Sequence, residues 1–403
     1  MAAEDEPARC GVIKFAGHRF QGSVVDVLDR AYTERYSSLL SCAGQRYLFS
    51  RRAYGVSKTS NRSELTWASD QNSWETIVRV QQIRDNHTVF GRPALSLTSK
   101  AFMSHNAAFT CLNGQTIIGL GGRDRKRYTF YQKMGWVRHL EQGVLMTGGW
   151  NPTSKRWSVS SNINQPLFDG HQAGCIEMRR GVHPVCEFDG RLSAATFKGK
   201  LFLYARANTR IFGSGRAVQV TSHACGTATQ NARDQLSCLQ SSNWSAFQQL
   251  NLSCAGTTCN DIYFAVVSPQ GEHALAALYP ATWYGCAQGD GNRSDCHMQY
   301  RGGIWLSFSR DGVSWSPGVK LMDSIPFGGR TDDHPVSWQA EVDGGVTMHV
   351  EHGVLHRTSR GLPDDPKIGY RLPVHCEYHI PRDALHGVGI IMGAGSMATP
   401  SRT

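Results

Sequence analysis

Short strands broken by tight turns account for most of the apolar and polar patterning along this chain. Two β-rich runs, Arg191-Leu192-Ser193-Ala194-Ala195-Thr196-Phe197 and Leu201-Phe202-Leu203-Tyr204-Ala205-Arg206, flank Lys198-Gly199-Lys200, which predicts a hairpin. Further turn-then-strand units begin at Asn113-Gly114, Gln270-Gly271 and Asp343-Gly344. No stretch keeps apolar residues at helical spacing over three turns, so the predicted class is all-β. Two of the strands alternate in a way that matters for chemistry. Tyr204, Arg206 and Asn208 project to one side with Ala205 and Ala207 on the other, and Thr347, His349 and Glu351 share a face backed by Met348 and Val350. Such a face suits either the inner wall of a channel or a solvated strand.

A second pattern is a repeat. Ser309-Arg310-Asp311-Gly312-Val313-Ser314-Trp315 follows the strand-like run Ile304-Trp305-Leu306-Ser307-Phe308. The Asp can accept backbone N–H groups across the turn, Gly supplies positive φ, and the indole is large enough to wedge between sheets. Looser copies end at Trp74, Trp157 and Trp244, so the unit recurs roughly every 80 residues. That period suits radially repeated four-stranded antiparallel sheets, and the length then accommodates about five of them. The turn resembles the Asp-box of sialidases and related propeller glycosidases. The resemblance implies a single β-propeller, most simply five-bladed, spanning 21–386 between an N-terminal segment (1–20) and a C-terminal tail (387–403), with the four tryptophans at equivalent blade positions.

Composition narrows the partners. Of 403 residues 18% are charged and 42 are Gly, which fits a turn-rich β protein with a large core. The net charge of +10 favours anionic partners, yet the basic residues are dispersed and no nucleic-acid module is present, so an acidic glycan fits better than nucleic acid. No run is apolar enough for membrane insertion. None of the twelve cysteines forms a zinc-type pair, and no motif calls for a cofactor or metal. Cys254 with Cys259 and Cys286 with Cys296 flank short loops that a disulfide could close. The cysteines and sequons such as Asn243 and Asn292 favour a secretory compartment. The acidic start Met1-Ala2-Ala3-Glu4-Asp5-Glu6 shows no apolar leader and favours a reducing one.

Candidate chemistry centres on acidic residues with a cation or imidazole nearby. In an extended strand Glu187, Asp189 and Arg191 share a face, although Asp189-Gly190 mirrors the Lys198-Gly199 turn and reads better as a turn. Arg330-Thr331-Asp332-Asp333-His334 sets adjacent carboxylates beside an imidazole, a way to raise one pKa for general acid work. His349 and Glu351 could form an acid/base and its orienting partner. Ser104-His105-Asn106 offers sugar-hydroxyl contacts. The catalytic candidates are therefore Glu187, Asp333 and Glu351 with His334, and Asp189 in reserve. Arg191, Tyr204, Arg206, Asn208, Arg330, His105, Asn106 and His349 are the substrate-binding candidates. The resemblance implies a glycoside hydrolase with acidic residues around its channel. A sialidase-type site would instead use Arg191, Arg206 and Arg330 with Tyr204 or Tyr284. A non-catalytic propeller that binds a glycan or a protein is the remaining alternative.

Overall fold

The computed structural model describes residues 10–29, 34–53, 74–85, 87–98, 107–112, 114, 116–124, 128–132, 135–139, 143–151, 156–159, 167–169, 175–176, 188, 191–208, 215–224, 239, 244–255, 259–286, 298–327, 330–353 and 373–386. Nearly all of the regular structure among these residues is β, and a short helix, Arg382–His386, follows the last strand.

The antiparallel strands gather into separate sheets in chain order. Arg35–Cys42, Gln45–Ala53 and Trp74–Arg84 begin the first, with Leu95–Thr98 beyond them. Ala108–Leu112, Thr116–Asp124, Gly143–Asn151 and Arg156–Val159 form the next. Then come Ser193–Phe197, Lys200–Asn208, Arg216–His223 and Gln248–Gln249. Val266–Gln270, Ala274–Cys286, Met298–Ser309 and Val319–Ser324 follow. The closing sheet takes His334–Ala340, Val346–His352 and Val374–Ile380 and borrows its outermost strand, Ser23–Val24, from the start of the chain.

These sheets form a β-propeller arrangement. The first strand of each packs on the first strand of the next, and His334–Ala340 returns to Arg35–Cys42. Side-chain alternation explains how the sheets stack. Leu201, Leu203 and Ala205 pack toward Ile118 and Leu120 of the preceding sheet, whereas Phe202 and Tyr204 meet Leu275, Ala277 and Tyr279 of the following one. Because both faces of inner strands such as Ser193–Phe197 and Lys200–Asn208 are largely buried, apolar residues occupy both parities there, and Leu201–Tyr204 reads as a continuous hydrophobic run. The closing seam differs. Its apolar cluster is small, centred on Val25, Leu39, Leu48, Phe90 and Val336, and polar pairs such as Arg46–Glu341 at 2.6 Å supplement it.

Covalent links reinforce this ring. Cys10–Cys376 ties the N-terminal segment to the closing sheet, and Cys42–Cys111 joins the first strands of two adjacent sheets. The expected Cys254–Cys259 bond is present. Cys296, the expected partner of Cys286, lies outside the described residues.

The turn at Ser309–Trp315 has the hydrogen bonding its sequence predicts. Asp311 Oδ1 accepts from the backbone N–H groups of Val313 (2.8 Å) and Ser314 (2.7 Å), and Ser309 Oγ accepts from Gly312 N–H at 2.8 Å. Gly312 has φ +84° and lies against Phe202, which a Cβ would meet at 2.6 Å. Partial burial pushes the Asp311 carboxyl up, but these N–H donors and the Ser314 and Ser309 hydroxyls outweigh it and hold the pKa at about 2. A carboxylate depressed in the folded state adds stability that is present above its unfolded pKa near 3.8 and is lost as pH falls through about 2. Asp311→Asn is therefore expected to flatten the fall in urea midpoint between pH 5 and pH 2, and an unchanged pH profile would refute this.

The tryptophans are not all equivalent. Trp244 bridges to His223, Trp315 bridges to Ser309, and Trp157 pairs with Trp150, so each follows the third strand of its sheet. Trp74 instead opens a third strand and pairs with Ala53. The expectation of four equivalent positions fails there because Trp74 opens a third strand, whereas the other three tryptophans follow one.

Candidate functional site

In this antiparallel arrangement the first strand's start, the second strand's end and the third strand's start all lie at one end of the ring. The register makes this concrete: Arg35 opposes Arg51, His334 opposes Glu351, and Glu351 in turn opposes His375. Residues far apart in sequence therefore meet at one end, or mouth, of the ring.

Two tyrosines organise that mouth. The hydroxyls of Tyr36 and Tyr263 are 3.3 Å apart. The Arg51 guanidinium sits 4.1 Å from the centre of the Tyr36 ring, while those of Arg206 and Arg216 sit 5.6 and 5.4 Å from the Tyr263 ring. A delocalised guanidinium stacks on an aromatic face and keeps its edge for hydrogen bonding. Asp261 orients Arg216, accepting from its backbone N–H at 2.9 Å and from Nη1 at 3.1 Å. His334 closes the floor, with its ring centre 5.1, 5.7 and 5.2 Å from those of Tyr36, Tyr263 and Phe264.

Arg191 crosses this floor. It precedes one first strand, yet its Nη1 donates to the Pro335 carbonyl in the closing sheet and its Nη2 donates to the Ser37 carbonyl in the first sheet. A further contact reaches Ser38 Oγ at 3.1 Å, and the Phe264 ring lies 4.9 Å from its Cζ. Burial lowers the Arg191 pKa to about 10, opposed by Glu351 and Tyr36, so the side chain stays charged at neutral pH. Glu351 is fully buried and accepts from Ser37 N–H at 3.3 Å, with His375 Nε2 also at 3.3 Å.

The other sequence candidates lie elsewhere or make different contacts. Asp333 is turned toward its own sheet. Its Oδ1 pairs with His352 Nδ1 at 2.9 Å, and His352 Nε2 lies 2.8 Å from the Tyr378 hydroxyl. Burial pushes the Asp333 pKa up, but hydrogen bonds and the charge of His352 outweigh it, so the net shift is downward. His349 faces the closing seam, with Nδ1 3.1 Å from Ser337 Oγ and Nε2 3.6 Å from Glu377. Burial lowers its pKa, with Glu377 opposing. Tyr204 is 1% exposed and donates to the Gly312 carbonyl at 3.1 Å, so it packs beneath the neighbouring turn. Glu187, Asp189, His105 and Asn106 lie outside the described residues, as do the side chains of Asn208, Tyr284 and Arg330. Arg191, Arg206, His334 and Glu351 are the candidates that the fold brings together. Tyr36, Arg51, Arg216 and Tyr263 join them without having been singled out. Aligning the hairpins so that second-strand ends coincide would have placed Arg51 beside Arg206 and Glu351.

Among the described residues, no group of three or more His, Cys, Asp or Glu is arranged to hold a metal ion. No described helix is long and apolar enough to cross a membrane.

No protein-family model matches the chain, and no curated protein does. Solved structures with a similar course include a protein of unknown function from Dyadobacter fermentans, at 14% identity and TM-score 0.46, covering 91% of this chain and 83% of that one. The mannose phosphorylase MPT-4 of Leishmania mexicana matches at 9% identity and TM-score 0.45, covering 91% and 90%. The α-L-arabinanase of Penicillium chrysogenum matches at 10% identity and TM-score 0.45, covering 90% and 99%. Likeness at this level says nothing of activity.

Proposed function

We propose that this chain is a five-bladed propeller that acts as a glycoside hydrolase on an anionic glycan at one mouth of its channel. The cycle of first-strand packing through Arg35–Cys42, Ala108–Leu112, Ser193–Phe197, Val266–Gln270 and His334–Ala340 supports five blades. The observation that carries the functional reading is the set of three guanidiniums stacked on the hydrogen-bonded Tyr36–Tyr263 pair. Guanidinium edges suit the two oxygens of a carboxylate or sulfate, and aromatic rings suit the apolar face of a sugar. Glu351, with His375 beside it, is the acid/base candidate at this mouth.

One observation favours a second reading, a glycan-binding propeller without chemistry. The carboxylates of Asp261, Asp333, Glu351 and Glu377 each lie within 3.7 Å of an arginine or imidazole nitrogen.

Arg206→Lys tests the anion-recognition reading on a panel of carboxylated, sulfated and neutral oligosaccharides. Lys keeps the charge but loses the fork, so binding to acidic members is expected to weaken about tenfold or more while neutral members are unaffected. Equal loss on both, or no loss on either, refutes recognition through charge. Hydrolysis of a bound member separates the enzyme from the binding module.

A further inference from the structure

We propose that Tyr36 is the specificity-determining side chain of this mouth and that Arg191 is the residue that positions it. The proposal deepens the reading above and rests on it for the ligand class, a sugar bearing a carboxylate or sulfate.

Tyr36 has φ +56°, a left-handed conformation that a bulky side chain rarely adopts. The strand register shifts at this point, between Arg35 and Ser38, so Tyr36 lies in a bulge of the first strand. Such strain persists only where the surroundings over-determine it, and it concentrates at ligand clamps. Here the restraint is visible. Both peptide groups that flank the Ser37 Cα are held: the Ser37 carbonyl accepts from Arg191 Nη2, and the Ser37 N–H donates to Glu351 Oε2 at 3.3 Å. Ser37 Oγ lies 3.1 Å from Ser50 Oγ, which fixes the remaining side.

The other end of Arg191 donates to the Pro335 carbonyl, where a second register shift separates Pro335 from Ser337. One guanidinium thus holds two facing bulges, one on each side of the closing seam. Glycine at position 36 would relieve the strain, yet a tyrosine stands there. Its half-buried ring lies under Arg51, with its hydroxyl 3.3 Å from that of Tyr263. That hydroxyl is placed to read a hydroxyl or acidic oxygen next to the group that the arginines hold.

Two measurements on the full chain test the proposal. The first is a thermal-unfolding cycle of Arg191→Met, Tyr36→Gly and the double variant. If Arg191 acts by holding Tyr36, the drop in melting temperature caused by Arg191→Met is smaller in the Tyr36→Gly background. Equal drops in both backgrounds overturn the clamp. Should Arg191→Met fail to fold, Arg191→Lys replaces it, since an ammonium keeps the charge but cannot span both carbonyls in the same plane. The second is binding of Tyr36→Phe to the oligosaccharide panel. Removing the hydroxyl is expected to cost the best acidic ligand about tenfold and to leave the neutral members unchanged, altering their rank order. An unchanged rank order overturns Tyr36 as the selector. A wild-type protein that binds no acidic member overturns that role together with the reading beneath it, while the melting cycle decides the clamp independently.

Discussion

Glu351→Gln is expected to lower hydrolysis of a susceptible acidic glycan by about 10²- to 10⁴-fold, the usual worth of a positioned general acid or base. The amide keeps the shape and can still accept from Ser37 N–H, but it carries no exchangeable acid proton. The same change has a second effect. Glu351 opposes the burial-driven fall in the Arg191 pKa, so neutralising it withdraws a favourable charge from a buried guanidinium. Removing one partner from such a buried pair costs about 3 kcal/mol or more, so the rate has to be measured well below the variant's melting temperature, with circular dichroism reporting the folded fraction. Glu351→Asp separates the effects, because it restores the charge but withdraws the carboxylate by one methylene. Stability is expected to recover further than rate. If the two recover together, or if Glu351→Gln turns over normally, Glu351 is a structural counter-ion and catalysis lies elsewhere.

Loss of Cys10–Cys376 should be the largest effect on stability from any single cross-link described. In the chain-entropy account the stabilisation grows with the loop closed, here a sequence separation of 366 against 5 for Cys254–Cys259. The expected costs are about 6 kcal/mol for the double serine variant of the first pair and about 2 kcal/mol for that of the second. The location adds to this. Cys376 lies in the strand that pairs with Ser23–Val24, so the bond fastens the N-terminal segment to the sheet that closes the ring. Urea unfolding of the two double variants gives the comparison, and the reverse order would contradict it.

The strands, the turns and the Ser309–Trp315 geometry were legible in the sequence because each depends on residues close in the chain. Alternation placed Met348 and Val350 in the core and Thr347, His349 and Glu351 among polar partners. Spacing alone misled at Trp74, where a tryptophan at the right interval falls in the wrong strand. The mouth was legible only in fragments. Arg206 and Glu351 stand out against small or apolar neighbours, whereas Tyr36 and Tyr263 look like ordinary strand aromatics, and their meeting depends on contacts 227 residues apart. Nor does sequence register the conformation of Tyr36. Positive φ is read from Gly or Asn, and here a Tyr adopts it beside Ser37, whose carbonyl accepts from a guanidinium 154 positions further along the chain.

The pairing of Ser23–Val24 with Val374–Ile380 sets an order on biosynthesis. The N-terminal strand leaves the ribosome first, but its partner emerges roughly 350 residues later, about 20 to 70 seconds at ordinary rates of translation. During that interval the ring is open, and the first strand Arg35–Cys42 lacks its neighbour His334–Ala340. Unpaired strand edges of this kind template association with other chains. The nascent protein should therefore lean on holdase chaperones until its last sheet is made, and truncations that remove Val374–Ile380 should aggregate instead of yielding a shorter propeller.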